Sequence, residues 1–565
     1  MVIKIFKNCK MKICFLCLLY LLFSPLISFS QWVESTQINT SVCTSSGKQN
    51  DVRLDGNGKH GAFLVWKDER QGNSNPDIYM QQLDSNGIEL WNNNGIVLCN
   101  NTADQSTPTI CTDMLDGAIV AWSDRRNNGE RDIYAQRVGP NGNILWQNNG
   151  APVATKVIRE HNEKIASDGN GGAFIFWEQY DSLMGAWDIW GQHLNPNGQA
   201  LWNPLGIAAS IIPGPLAFGD RLNVKLQKDG QGGVYVVWQD NRSLVDYDIY
   251  AQHLNSAGTR LWGESGLVIC NNIGTQSNPK IDPDSVHNGI YVAWADERSG
   301  IDYDIFAQSV SFNGSTNWLA NGLEICGAGG NQSAVDIVST TSIGGLVLAW
   351  KDSRSGLPDI YAQKISPQGN LQWSTDGIPI SLSPSSQINP NICSDGNGGV
   401  IITWQDSTSN DWDVKSQRVD PMGNVLWQLN GVFVSNADET QSHPKNIPDG
   451  KGGSIYAWQD KREGQYDIYA HHLNAFGLFV GLNDLQSSSN KFEIYPNPCQ
   501  DLLTIESHTS IQSFSIINSI GACVYNSSVP TTTKQCVDLA FLPSGIYLIQ
   551  VNTLLESSKQ LLIKQ

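Results

Sequence analysis

The sequence predicts an all-β protein: an eight-bladed β-propeller of four-stranded repeats, each about 55 residues long, followed by a small β-sandwich. A tryptophan-bearing unit occurs eight times in succession, which indicates a repeat architecture. Short apolar runs alternate with clusters of Asn, Gly, Asp and Pro, as strands and tight turns do. The pattern changes near the C-terminus. The predicted domains are a signal peptide (1–30), the propeller (31–480), a polar linker (481–490) and the C-terminal domain (491–565).

Residues 1–30 have the features of a signal peptide. Four lysines precede the apolar core ICFLCLLYLLF, and small residues lead to a cleavage point between Ser30 and Gln31. The apolar run is too short to be a good membrane span. Removing it leaves 32 basic and 54 acidic residues, so the net charge falls from −18 to −22. Such an acidic surface repels phosphate backbones, which argues against nucleic-acid binding.

Two series of tryptophans mark the repeat, and successive members are 54 to 61 residues apart. The unit contains Q-S-x-P-x-I, D-G-x-G-G, an apolar run ending in W-x-D-x-R, then D-I-Y-A-Q and G-x-x-L-W. The first series is Trp66, Trp122, Trp177, Trp238, Trp294, Trp350, Trp404 and Trp458. The second series is Trp32, Trp91, Trp146, Trp202, Trp262, Trp318, Trp373 and Trp427.

Each part of the unit predicts a strand or a turn. The run GGVYVVW (232–238) is apolar on both faces, as a strand buried between neighbouring sheets should be. DIYAQHL (248–254) alternates, TRLW (259–262) predicts a short strand, and SNPKI (277–281) is taken as the fourth strand. Segments such as DGNGG (168–172) provide the positive φ angles of a tight hairpin turn. They lack the regular carboxylate spacing of calcium loops, so no metal is expected.

Both ends of the array predict closure of the ring. The last unit lacks its L-W strand and reads LFV after DIYAHHLN (467–474). The mature chain begins with an orphan Q-W strand that runs into TQINTSVC. The N-terminal strand is therefore predicted to complete the last blade, which would remove two open sheet edges.

The W-x-D-x-R…D-I-Y loop carries many charged residues, yet it recurs around the ring. Catalysis needs one constellation in one pocket, so a charged motif present in nearly every copy is interpreted as structural. We expect its arginine to bind a carboxylate with its fork and to satisfy backbone carbonyls. The arginine is present in six copies and absent from copies 3 and 7.

An aromatic residue precedes the D-I-Y aspartate in five copies. These residues are Trp187, Tyr247, Tyr303, Trp412 and Tyr466. Their loop belongs to the propeller face that commonly carries the ligand site, and exposed rings there could stack on sugars. The alternative is that each ring packs on the loop arginine or on the next blade.

Copies 3 and 4 depart most from the repeat. The connection LGIAASIIPGPLAFGDRLNVKL (205–226) is longer and more apolar than its equivalents, so it predicts either a specific pocket or a tolerated surface loop. Copy 3 also holds two carboxylates outside the repeat pattern, Glu178 and Asp181, which are candidates for catalysis if the propeller is an enzyme. The motifs H-E-x-x-H, G-x-S-x-G and C-x-x-C, and a phosphate-binding glycine loop, are absent from the mature sequence.

The cysteines are interpreted as small buried residues. Four of them share one repeat position: Cys43, Cys99, Cys270 and Cys326. Equivalent positions in successive repeats lie apart in space, so their spacing does not imply pairing. A bridge between Cys523 and Cys536 across a C-terminal hairpin remains an alternative.

The last 75 residues resemble the type A C-terminal sorting domain of the type IX (Por) secretion system. The resemblance rests on the segments YPNP, LLTI, IG and LPSGIYL and on a lysine near the end. Its motif residues are Tyr495, Pro496, Asn497, Pro498, Gly521, Gly545, Tyr547 and Lys564. The resemblance implies transport through the periplasm, handling by the type IX machinery, removal of this domain, and a secreted or surface-attached product.

Together these observations predict an exported propeller without a catalytic site or cofactor, whose ligand is a polysaccharide or a surface protein. A propeller enzyme acting on polysaccharide and a purely structural or adhesive surface element remain the alternatives.

Overall fold

The structure is a computed structural model. It describes residues 32–480 and 492–564, apart from residues 34, 73–74, 128, 157, 213–217, 341–343, 409–410, 519–522 and 554–556. The predicted signal peptide with Ser30 and Gln31, the linker 481–490 and Gly521 lie outside the described residues. The described part of the chain is built from β-strands, and it contains no helix long and apolar enough to cross a membrane.

Residues 40–473 form eight four-stranded antiparallel sheets, the predicted propeller blades. The innermost strands are β2 (Gln49–Gly56), β6 (Gln105–Thr112), β10 (Glu160–Ser167), β14 (Arg221–Lys228), β18 (Gln276–Asp284), β22 (Gln332–Ser339), β26 (Gln387–Ser394) and β30 (Gln441–Pro448). The second strands are β3 (Ala62–Asp68), β7 (Ala118–Asp124), β11 (Ala173–Asp181), β15 (Val234–Asp240), β19 (Gly289–Asp296), β23 (Leu346–Asp352), β27 (Val400–Asp406) and β31 (Ser454–Asp460).

Seven of the third strands begin at the D-I-Y aspartate, and the third strand of blade 3 begins two residues before it. The third strands are β4 (Asp77–Leu83), β8 (Asp132–Val138), β12 (Ala186–Leu194), β16 (Asp248–Leu254), β20 (Asp304–Val310), β24 (Asp359–Ile365), β28 (Asp413–Val419) and β32 (Asp467–Leu473). The outer strands are β5 (Ile96–Cys99), β9 (Ala151–Ala154), β13 (Ile207–Ala208), β17 (Leu267–Cys270), β21 (Leu323–Cys326), β25 (Ile378–Ser381), β29 (Val432–Ser435) and, in blade 8, β1 (Thr40–Cys43).

Two strand assignments made from the sequence were wrong. The Q-S-x-P-x-I segment, taken as the fourth strand, is the innermost strand of its blade. The L-W segment is not a named strand, since Arg260 makes only an isolated bridge to Leu254. The fourth strand is the apolar tetrapeptide that follows it, Leu267–Cys270 in blade 4. Local alternation marks a strand but does not give its place in the sheet.

The predicted ring closure is confirmed. Strand β1 pairs antiparallel with β32, with Thr40 opposite Ala470. Trp32 packs edge-on against His472 of blade 8 at 5.7 Å between ring centroids, and its indole nitrogen donates to the Ser85 carbonyl of blade 1 at 3.0 Å. The N-terminal segment thus provides both the tryptophan and the outer strand that the last repeat lacks, so blade 8 has four strands like the other seven.

The core lies in the seams between blades. All eight tryptophans of the first series have no measurable exposure. The glycine before each regular outer strand lies directly over such an indole: a Cβ added at Gly95 would meet Trp66 at 2.5 Å, and its φ is +84°. Only glycine fits a left-handed position that close to a ring.

The C-terminal domain has five strands in one nearly closed sheet: β33 (Phe492–Tyr495), β34 (Leu502–Asn518), β35 (Cys523–Asp538), β36 (Gly545–Thr553) and β37 (Ser557–Lys564). Alternating segments such as SFSIIN and GIYLIQV predict about seven short strands in this domain. The two counts differ because the pairing of β34 with β35 shifts register after Glu506 and again near Ile511, so each long strand acts as two short ones. The backbone of Cys499 makes an isolated parallel β-bridge with Lys564, which brings the sheet close to closure.

Candidate functional site between blades 3 and 4

The repeated W-x-D-x-R motif is structural, as blade 5 illustrates. Arg298 holds the fully buried Asp296 with its fork, Nε to Oδ1 at 2.9 Å and Nη2 to Oδ2 at 2.6 Å. The Trp294 indole donates to the same carboxylate at 2.7 Å. The guanidinium lies 3.7 Å from the Phe306 ring centroid and donates to the Asn321 carbonyl at 2.7 Å. Both carboxylate oxygens of Asp296 and the indole nitrogen of Trp294 are thus used within the fold, which leaves little for a substrate.

The motif also joins neighbouring blades. Arg298 donates to the Cys270 sulfur of blade 4 at 3.3 Å. Burial raises the pKa of that thiol to about 12. The four cysteines of this repeat position are buried and free, as predicted. The proposed Cys523–Cys536 bridge is wrong, since the two free, exposed thiols stand at opposite ends of strand β35.

Blades 3 and 7 replace the missing arginine with a lysine from another position. In blade 3, Lys156 donates to Gln179 at 3.0 Å and lies 3.6 Å from the Trp190 ring centroid. In blade 7, Lys415 lies 3.3 Å from Asp406. Neither lysine belongs to the W-x-D-x-R string, so the string alone does not reveal that a lysine replaces the arginine.

The aromatic residues before the D-I-Y aspartate lie at the seams on the loop face, defined here as the face that carries the loops between second and third strands. In four of the five, the backbone carbonyl accepts from the first residue of the next inner strand, at 2.6–2.7 Å; these four are Tyr247, Tyr303, Trp412 and Tyr466. All five side chains are half-buried. They therefore stand around the mouth of the ring, and ligand binding by them stays a prediction.

Trp187 is less free than the sequence suggested. Its ring packs on His161 at 4.3 Å and on Tyr180 at 5.2 Å between centroids. Losing the loop arginine did not remove its packing role, because these two rings take over the contact. The described residues show no comparable ring contact for Trp412.

A pocket of about 200 Å³ opens where blades 3 and 4 meet. Its lining residues come from the blade 3 loop and from the long connection to blade 4: Asp181, Met184, Ala186, Asp188, Ala208, Ser210, Ile211, Ile212 and Arg221. The connection 205–226 thus contributes to a pocket, one of its two predicted roles. Trp187 alternates with Ala186 and Asp188 along β12, so its side chain faces away from this pocket.

One side of the pocket is charged because the repeat is broken there. Arg221 stands where six other inner strands begin with glutamine, and it lies 3.4 Å from Asp188 and 3.6 Å from Asp240. Burial raises the pKa of Asp188 to about 6, although Arg221 opposes the shift. The other break is Glu160, whose two side-chain oxygens have no hydrogen-bond partner among the described residues. Burial raises the pKa of Glu160 to about 8.

The two carboxylates singled out in copy 3 do not form a pair. Glu178 and Asp181 differ by an odd number of positions in the continuous strand β11, so they face opposite sides of the sheet. Glu178 accepts from the backbone nitrogen of Asn223 at 2.6 Å, while Asp181 lines the pocket. Within the described ranges no group of three His, Cys, Asp or Glu residues is arranged to hold a metal ion.

The motif residues of the C-terminal domain lie close together in the structure. Asn497 accepts from the backbone nitrogen of Ile563 at 2.9 Å, and Gly545 pairs with Lys564. The Tyr547 hydroxyl donates to the Pro543 carbonyl at 2.9 Å. Tyr495, Pro496 and Pro498 lie in the same segment as Asn497, and both X–Pro bonds in it are cis. Residues that are 50 or more positions apart in the sequence therefore share one end of the sheet.

Comparison with known proteins identifies the C-terminal domain. Residues 493–565 match the family model described as secretion system C-terminal sorting domain, and this part of the chain belongs to that family. A sorting domain of the type IX system at this end of the chain implies that the secretion machinery handles the eight-bladed propeller that precedes it. No curated protein matches the chain.

Solved structures resemble the propeller only distantly. Dipeptidyl peptidase 4 from Porphyromonas gingivalis is 11% identical with a TM-score of 0.39, over 82% of this chain and 65% of that one. A PL25 ulvan lyase is 10% identical with a TM-score of 0.38, over 63% and 90%. An endo-arabinase from Bacteroides thetaiotaomicron is 13% identical with a TM-score of 0.26, over 44% and 93%. None of these likenesses bears on what this chain binds.

Proposed function

We propose that this protein is a non-catalytic binding module, exported to the cell surface or the medium, that holds a polysaccharide in the pocket between blades 3 and 4. The observation that supports this is the position of the pocket. Two of its lining residues break the repeat: Asp181 stands where the repeat has its arginine, and Arg221 stands where six other inner strands begin with glutamine. The propeller fold does not require these departures from the repeat, so we assign them to ligand binding.

The lining suits a sugar. Asp181, Asp188 and Arg221 offer charged acceptors and donors for paired hydroxyl groups. Met184 and Ile211, both about half-exposed, offer an apolar wall for the C–H face of the ring. The half-buried aromatics at the other seams would extend the contact along a chain that crosses the mouth of the ring.

The test is a glycan array on the purified full chain, followed by affinity measurements on pocket variants. Met184→Asp and Ile211→Asp change exposed side chains, so they should abolish binding without lowering the melting temperature. Ile301→Asp, an 89% exposed residue on the loop face of blade 5, is the matched control and should bind normally. Equal affinity of all three variants would contradict the pocket assignment, and release of shortened sugars by the parent protein would favour the enzyme alternative.

The rim aromatics are tested separately. Trp412→Ala should weaken polysaccharide binding with little loss of stability, whereas Trp187→Ala should cost stability because its ring packs on His161 and Tyr180. Thermal melts beside a polysaccharide pull-down measure both effects. Unchanged binding in Trp412→Ala would remove the rim from the site.

A further inference from the structure

One column of the repeat places basic residues at a single level of the inner strands. Each of its members pairs with the residue just before a buried tryptophan, as Lys225 does with Val237 and Lys445 with Ala457. Every inner strand shifts register immediately before this position, so the eight residues stand at one height. In blade order they are Arg53, Thr109, Lys164, Lys225, Lys280, Asp336, Asn391 and Lys445.

These side chains face the common channel at the centre of the ring. Lys280 of blade 5 reaches Asp336 of blade 6 at 2.8 Å. Asn391 of blade 7 donates to the same carboxylate at 2.6 Å. The pKa of Lys445 in blade 8 is lowered to about 8, by burial and then by Lys280 and Arg53 against the opposing effect of Asp336. Blades 8 and 5 are not neighbours, so their lysines can influence each other only across the channel.

The column is strongly unbalanced in charge, with five cations and one carboxylate. Asp336 is fully engaged by Lys280, Asn391 and a backbone nitrogen. Among the described residues the other four cations have no ion pair closer than 4 Å. Arg53, Lys164 and Lys225 donate only to nearby carbonyls and the Asn162 side chain, and no hydrogen bond is recorded for Lys445.

The nearby carboxylates offset these charges only in part. Asp55 and Asp282, two positions further along β2 and β18, accept from the backbone nitrogens of Thr112 and Ser339, and burial raises the pKa of both. Glu163 is held by the hydroxyls of Thr107 and Ser123, both at 2.8 Å, and burial raises its pKa, as it does that of Glu178. Asp51 lies on the Arg53 side of the channel and attracts that guanidinium. Half-buried like charges repel one another and are costly to desolvate. Their accumulation in one column of an acidic protein calls for a compensating anion.

We propose that the channel is an oxyanion site, in which Arg53, Lys164, Lys225 and Lys445 together bind a sulfate-type dianion. Ammonium and guanidinium groups that converge from several blades suit a tetrahedral anion, which can accept from every side. Lys280 is 35% exposed, so water and a small ion reach this level of the channel. The anion is either free or an ester group on a polymer, and the site is separate from the pocket between blades 3 and 4.

Binding at this site has a proton signature. The pKa of Lys225 is lowered to about 7, by burial first and then by Lys164 and Lys280, against the opposing attraction of Glu178 and Asp336. At pH 8 this amine is mostly neutral without an anion. A bound dianion favours the charged forms of Lys225 and of Lys445, whose pKa is about 8, so binding at pH 8 should take up about one to two protons, and binding at pH 6 almost none.

The experiment is calorimetric titration of the full chain with sodium sulfate at constant ionic strength, in pairs of buffers that differ in ionisation enthalpy. A second arm uses a chondroitin sulfate hexasaccharide and its desulfated form. We expect saturable sulfate binding, proton uptake at pH 8, and an affinity about tenfold lower in Lys225→Met and in Lys445→Met. Lys451→Met, an exposed lysine on a turn, should bind like the parent.

The two titrations distinguish a free anion from an ester group on a polymer, and the melting temperatures distinguish lost binding from misfolding. Binding of the sulfated but not the desulfated hexasaccharide identifies a polymer ester, and binding of sulfate alone identifies a free ion. Both lysine variants should also melt higher than the parent in chloride, because a repelling charge is gone, so loss of binding cannot be attributed to misfolding. No saturable binding by the parent, or equal affinity in the parent and both variants without proton uptake, would overturn the proposal.

Discussion

Replacing Arg298 with methionine tests whether the repeated motif stabilises the fold. The change removes two charge-assisted hydrogen bonds to Asp296, which is fully buried, and one to the Asn321 carbonyl. Hydrogen bonds to charged groups contribute about 1.5–3 kcal/mol, and breaking a buried pair costs about 3–5 kcal/mol. Methionine keeps the packing on Phe306, and Trp294 still donates to the carboxylate. The expected loss in the free energy of unfolding is therefore roughly 2–4 kcal/mol.

Urea unfolding of the full chain, followed by tryptophan fluorescence, measures this loss. All 19 tryptophans lie between residues 32 and 458, so the signal reports the propeller alone. Arg159→Met is the control: its side chain is 68% exposed and lies 3.7 Å from Glu130, so the expected loss is below about 0.5 kcal/mol. Similar losses in the two variants, or an Arg298→Met loss below about 0.5 kcal/mol, would refute the structural interpretation of the motif.

Three further predictions concern charge, closure and export. Burial raises the pKa of Asp77 to about 6, above its unfolded value near 3.8. The free energy of unfolding therefore falls as the pH rises from about 4 to 6, because the buried carboxyl group must then carry a charge. Asp77→Asn should therefore gain roughly 1–3 kcal/mol on the parent between pH 4 and pH 8 in urea titrations, and a pH-independent difference would contradict this. Deleting residues 32–43 should expose the edge of blade 8 and cause aggregation in light scattering; a stable monomer would refute closure by that segment. Deleting residues 491–565 should leave a folded propeller in the periplasm on cell fractionation, and efficient surface display would remove the sorting role.

The repeat, the blade number and the closing strand could be predicted from the sequence because each has a local signal. The two tryptophan series set the period, and the orphan Trp32 segment matched the missing part of the last repeat. The order of strands within a blade could not be predicted from alternation, so Q-S-x-P-x-I was placed on the wrong edge. Pairing direction and neighbours depend on contacts between segments, which periodicity does not encode.

The sites were harder to predict than the fold. The pocket is formed by residues that depart from the repeat, and the channel site by one repeat position compared across all eight copies. The long connection 205–226 was noticeable, and it does line a pocket. Arg221 also has a sequence signal, because it breaks a position that is glutamine in six other copies. The channel cations, such as Lys225 and Lys445, occupy a position marked x in the repeat, so their likeness appears only when the eight copies are read side by side.

The division of blade 8 between the two ends of the propeller bears on how such arrays change in length. Arg462 of the last repeat donates to the carbonyl of Gln37, 425 positions earlier. The contacts that join the two ends of the ring are therefore made by its first and last segments. Duplication or loss of a whole unit between them leaves every fastening residue in place. What then decides whether a ring forms is only the angle between successive sheets. The number of blades can thus drift in evolution while the means of joining the ends is inherited unchanged.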